Sequence, residues 1–136
     1  MTRCAFIIDQ TLPPGLVANT AAVLAATLGA KRPDIVGRDL HDADGNRHPG
    51  LTEIVMPILK SDPDGLKALL GRAEAQTDAD LGMIGVTDAA QQAKSYGDYA
   101  ARLSAARRDE LRYLGLCLYG PAALVRSLTG NLPLMR

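Results

Sequence analysis

Polar and apolar positions alternate along this chain in blocks rather than in one long repeat. Arg3 to Asp9 (RCAFIID) is a short, nearly continuous apolar run, the pattern of a strand covered on both faces. Thr11-Leu12-Pro13-Pro14-Gly15 breaks it, and the Ala-rich stretch Leu16–Leu28 then shows helical spacing. Leu16, Val23, Leu24, Thr27 and Leu28 form its apolar stripe, and Gly29 reads as its C-cap. Thr52–Leu59 (TEIVMPIL) reads as a strand, with Pro57 arguing for a sheet edge or an early end. Ser61-Asp62-Pro63-Asp64 starts a helix with stripe Leu66, Leu69, Leu70 and Ala73. Leu81–Thr87 is a further buried strand. Residues 88–106 read as two short helical pieces broken at Tyr96-Gly97, with Asp98 capping the second and Tyr99 and Leu103 buried. Leu111–Tyr119 is a strand, Pro121–Leu128 a helix, and the chain finishes on an apolar tail, Leu132-Pro133-Leu134-Met135.

This order predicts an α/β fold: one domain over residues 1–136, a mixed sheet of four to five strands, and helices on both faces. One hundred and thirty-six residues suit a single core. With 47% hydrophobic residues, no Trp and one Phe, that core must be built from Ala, Leu, Val and Ile. Between Arg38 and Pro49 the chain is polar, and Asp44-Gly45 predicts a two-residue hairpin loop with His41 opposite His48.

The charge balance narrows the partners. Fifteen basic and fifteen acidic residues cancel, which argues against a nucleic-acid partner. The balance is uneven, because six Arg against Asp109 and Glu110 leave +4 on residues 101–136. Those arginines read mainly as solvated surface. No apolar stretch is long enough to span a membrane, and the start turns acidic too early for a signal peptide. A soluble cytoplasmic protein is the expectation. Cys4 and Cys117 lie in apolar runs and read as reduced core residues, not as a disulfide, a metal pair or a nucleophile.

Candidate chemistry gathers at strand ends. Asp9 and Asp88 each follow a strand directly, where α/β sheets collect ligands beside helix N-termini. If the two strands are parallel neighbours, both carboxylates border one crevice with Gly15 at the helix start. Asn19 and Thr20 lie one turn further in. Gly120-Pro121 places another helix start after a strand, where free amides could hold an anion. The His41–His48 hairpin, with Asp42 and Asp44, has zinc-like donors but no standard spacing, so no metal and no cofactor is predicted. Turn and cap roles compete with a functional role at each of these positions.

The strand LGLCLYGP, helix AALVRSLTG and tail NLPLM resemble the C-terminal segment of type II peptidyl-tRNA hydrolases. EIVMPIL, DGLKALLGRAEA, LGMIGV and the following Asp-Ala fit in the same order. A closer likeness, through LPPGLVANTAA, GRDLHDADGNRHPG, LRYLGLCLYGP and LTGNLPLMR, is to a bacterial family within that superfamily, the domain-of-unknown-function two-thousand proteins. The resemblance implies the hydrolase-like fold and a homodimer, without an established activity. Of the hydrolases' catalytic positions it carries over Asp88 and leaves Asn19 as a neighbour. Their Lys is Leu16 here, their helix His falls at about Val23, and the Thr after the acid is replaced by Gln91 or Gln92. Two functions remain open at this level. One is a module that binds a small-molecule ligand or serves regulation. The other is an ester or amide hydrolase in which Asp88 polarises water and Asn19 holds a carbonyl.

Overall fold

The computed structural model describes residues 2–136. Four strands form the main sheet: β1 (Thr2–Asp9), β4 (Ile58–Ser61), β5 (Gly82–Thr87) and β6 (Tyr113–Pro121), in the order β4-β1-β6-β5. β4 runs parallel to β1, and β6 runs antiparallel to both β1 and β5. β2 (Leu40–His41) and β3 (Arg47–His48) form a separate exposed hairpin. Among the described residues there are five α-helices: α1 (Pro14–Lys31), α2 (Pro63–Glu74), α3 (Asp88–Gln92), α4 (Tyr96–Ala105) and α5 (Ala122–Thr129).

The sheet separates two apolar layers, as the alternation along β1 requires. Cys4, Phe6 and Ile8 meet Leu24 and Leu28 of α1 on one face. Ala5 and Ile7 meet Leu66 and Leu69 of α2 and Val125 and Leu128 of α5 on the other. Gly115 lets α1 come close, since a Cβ there would stand 2.7 Å from the Thr20 methyl. Both cysteines are free thiols inside the α1 layer, and burial pushes their pKa values up.

Local boundaries differ from the sequence pattern for identifiable reasons. Helix α1 passes through Gly29 to Lys31 and stops where Pro33 follows Arg32. Its buried stripe is Thr20, Leu24 and Leu28, while Val23 is exposed, so the helix is rotated from the predicted face. Pro57 ends an irregular approach, and β4 starts only at Ile58, on the sheet edge. Helix α4 is capped by Ser95, whose hydroxyl accepts from the Asp98 amide at 3.0 Å, rather than by Asp98. Leu103 remains partly exposed on it.

The hairpin takes a different register from the two-residue loop. His41 pairs with Arg47 and Leu40 with His48, around the three-residue loop Ala43-Asp44-Gly45. Asp42 decides this: its Oδ1 accepts from the Asp44 and Asn46 amides at 3.0 and 2.9 Å, and Gly45 takes φ +85. The histidines are therefore not opposite one another. His48 Nε2 instead lies 2.9 Å from Asp42 Oδ2. Among the described residues no three or more His, Cys, Asp or Glu side chains gather as a metal site.

The apolar tail pairs with its own sheet, half-burying Leu132 and Met135 and leaving Pro133 and Leu134 exposed. The Lys60 amide donates to the Pro133 carbonyl at 2.9 Å, and the Met135 amide to the Ile58 carbonyl at 2.8 Å. Leu134 thereby bridges Leu59 and extends the β4 edge. Removing residues 133–136 should cost about 1–3 kcal/mol, at roughly 0.5–1.5 kcal/mol for each of these two bonds. Urea denaturation of the shortened chain checks this, and an unchanged midpoint would mean the tail contributes nothing to the fold.

Candidate functional site

Because β1 and β5 both run antiparallel to β6, they point the same way, and their carboxyl ends share one rim of the sheet. They are not neighbours, as β6 stands between them. Helices α1 and α3 start at this rim, directly after β1 and β5. The start of β6 meets them there, preceded by Arg112.

Arg112 is the residue that joins the two predicted acids. Its Nη2 donates to Asp9 Oδ2 at 2.8 Å and to the Thr11 hydroxyl at 3.1 Å. Its amide donates to Asp88 Oδ1 at 3.2 Å, while its carbonyl accepts from the Asp88 amide at 2.9 Å. Sequence reading placed Arg112 among solvated arginines and missed it. The available signal was its position, a lone cation directly before a central strand that starts where two acid-ended strands finish.

Asp9 is fully buried. Its Oδ1 accepts from the Thr11 amide at 2.8 Å and the Thr11 hydroxyl at 2.7 Å. Burial opposes ionisation of the carboxyl, but the bonds from Arg112 and Thr11 outweigh it and hold its pKa below the ordinary value. The Arg112 side chain is half exposed, so the pair has a dry end and a wet end.

A bulge aims this cluster. Val86 pairs with Gly115 and Thr87 with Tyr113, which leaves Leu114 as an extra residue in β6. Leu114 turns into the α1 layer, beside a Gly115 whose Cβ would point there as well. Thr87, at the same irregularity, is buried with a hydroxyl that finds no partner among the described residues.

The remaining predicted residues divide. Gly15 and Asn19 are exposed on the first turns of α1, at this rim. Thr20 is buried, with its methyl against the sheet, and cannot meet a ligand. Gly120 is at the opposite end, because β6 runs the other way and brings it to Arg3 of β1. It borders a hollow of about 270 Å³ with Thr2, Arg32, Asp80 and Pro121. Its φ of +150, with the Asp80 carbonyl 2.7 Å from where a Cβ would stand, explains the glycine structurally. Asp88 lines a cavity of about 330 Å³ with Gln92, Arg102 and Glu110, walled by Ala105 and Leu111. A larger hollow, about 610 Å³, runs between α1 and β5, and Val23 lines it.

The lowered Asp9 pKa has a signed consequence. A carboxyl depressed in the folded state adds stability above its unfolded pKa, about 3.9, and that stability is lost as pH falls through the folded value. Asp9→Asn should therefore flatten the loss of stability on acidification from about pH 5 to pH 2. Denaturation midpoints across that range check this, and parallel curves for the two proteins would contradict it.

Comparison with known proteins adds fold and family. A structure of a protein of unknown function from Agrobacterium tumefaciens strain C58 superposes with a TM-score of 0.89 at 18% identity, covering 99% of this chain and 98% of that one. No curated protein matches the sequence. The model of the family described as protein of unknown function (DUF2000) matches residues 2–136, so the chain belongs to that family.

Proposed function

We propose that the protein is a small-ligand-binding or regulatory module whose site is the carboxyl rim of the sheet around Asp9, Arg112 and Asp88. One observation carries this reading. Arg112 is pinned through one nitrogen by a fully buried carboxylate, while the rest of its half-exposed guanidinium makes no bond among the described residues. A cation fixed in this way loses little entropy on binding and keeps donors free for a carbonyl or anionic group. Asp88 is tied to the Arg112 backbone and lines the adjoining cavity, where it can accept from a ligand hydroxyl or amine. Gly15 and Asn19 flank the same rim from α1.

A hydrolase of esters or amides, on the peptidyl-tRNA hydrolase-like scaffold suggested by the sequence, would need Asp88 to polarise water. Its Oδ1 is already engaged by the Arg112 amide, and the positions of the hydrolases' Lys and His hold Leu16 and Val23. Binding without turnover fits this set better.

A thermal-shift screen of the intact chain against metabolites and nucleotides tests the reading. A stabilising compound is expected, with its shift lost in Asp88→Ala and Arg112→Met. Hits that survive both substitutions would move the site elsewhere. Hydrolysis of peptidyl-tRNA or an acyl ester that disappears in Asp88→Asn would establish the enzyme instead.

A further inference from the structure

A second cavity, about 440 Å³ and mainly apolar with a few charged groups at its wall, lies on the α2 side of the sheet, across the Arg108–Leu111 turn from the Asp88 cavity. Tyr113 forms part of its wall and is only 8% exposed. The Tyr113 hydroxyl makes no hydrogen bond with any described residue, and its oxygen is not enclosed. It is free to meet a ligand in the cavity that Tyr113 lines.

Two cations, Arg108 and Lys67, line the same cavity. Arg108 Nη1 donates to Glu74 Oε1 at 2.7 Å, an ion pair that fixes the guanidinium and leaves its other nitrogens free. Lys67 Nζ makes one long contact, 3.3 Å, to the Asp109 carbonyl. Burial raises the Tyr113 pKa, Arg108 lowers it and Glu74 raises it, which places the phenol within electrostatic reach of both side chains.

Gly71 widens the cavity. It sits inside helix α2 on the cavity wall, and a Cβ there would meet nothing within 4 Å. No turn or close approach requires glycine, although glycine in a helix costs about 1 kcal/mol relative to alanine. What its missing side chain provides is room. Leu70 and the Tyr113 ring give the same space an apolar side.

We propose that this cavity is a binding site for a small monocarboxylate with a short apolar body. The Tyr113 hydroxyl and Lys67 donate to the carboxylate, and Arg108 meets it with its planar fork. Glu74 acts as a positioning residue for Arg108. Glu74 and Asp109 also cancel the charge of the two cations, which disfavours multiply charged anions such as phosphate. The apolar body of the ligand lies against Leu70, above Gly71. This site is separate from the carboxyl rim and stands whether or not a ligand binds there.

Titration of the full chain with benzoate, butyrate or inorganic phosphate, followed by amide nuclear magnetic resonance, tests the assignment. Benzoate or butyrate should move the Leu70 and Gly71 amides saturably, with phosphate much weaker. Tyr113→Phe keeps the ring and should weaken carboxylate binding about tenfold, the effect of losing one hydrogen bond to a charged group. Gly71→Leu should abolish binding by filling the space. No saturable shift, equal binding of phosphate, or affinity unchanged in Tyr113→Phe would overturn the proposal. Shifts confined to Gly15 and Gln92 would do the same, by assigning the carboxylate to the rim.

Discussion

The carboxylate of Asp9 has no exposed surface, and the ends of three strands are arranged around the charge it carries. A buried carboxylate costs several kcal/mol unless donors and a counter-charge replace its water. Thr11 supplies two donors within the same turn. The counter-charge comes from Arg112, 103 positions further on, and it can arrive only because β6 is antiparallel and begins where β1 ends. The backbone of Arg112 then fixes Asp88 at the end of β5. One electrostatic requirement thus joins β1, β6 and β5 at a single rim and leaves a half-exposed guanidinium facing out of it.

Much of the fold was legible because period and punctuation agree. The β1 run, the stripe of α2 and the apolar β6 all read correctly from local pattern, whereas the break expected at Tyr96-Gly97 falls at residues 93–95, because Ser95 caps α4 and Tyr96 opens it. Asp9 and Asp88 were legible as strand-end acids. Arg112 was not, because a sequence shows that an arginine is present but not which distant acid it reaches. Thr20 and Val23 were misassigned for a related reason: α1 is so rich in Ala that small rotations of its buried face cost little in composition. Gly120 was grouped with Asp9 because both follow strands, and only strand direction separates them. The hairpin register turned on the Asp42 side chain, which captured two amides and selected a three-residue loop over a two-residue one.

Family membership and an 18%-identical neighbour of unknown function define the scaffold and leave its chemistry to the side chains. Those side chains fall on either side of one short segment. Residues Arg108 to Tyr113 send Glu110 and Leu111 to the Asp88 cavity, Arg112 to Asp9, and Arg108 and Tyr113 to the cavity under α2. The turn before β6 therefore borders both cavities, and two of its arginines, Arg108 and Arg112, pair with carboxylates while staying at least half exposed.

The central claim is that buried Asp9 and half-exposed Arg112 form an energetically coupled pair, not a contact of convenience. A double-mutant cycle with Asp9→Asn and Arg112→Met, read by urea denaturation at neutral pH, measures that coupling directly. The account predicts an interaction energy of about 1–3 kcal/mol, with each single substitution more damaging than additivity allows. Additive effects, with an interaction within about 0.5 kcal/mol of zero, would contradict it.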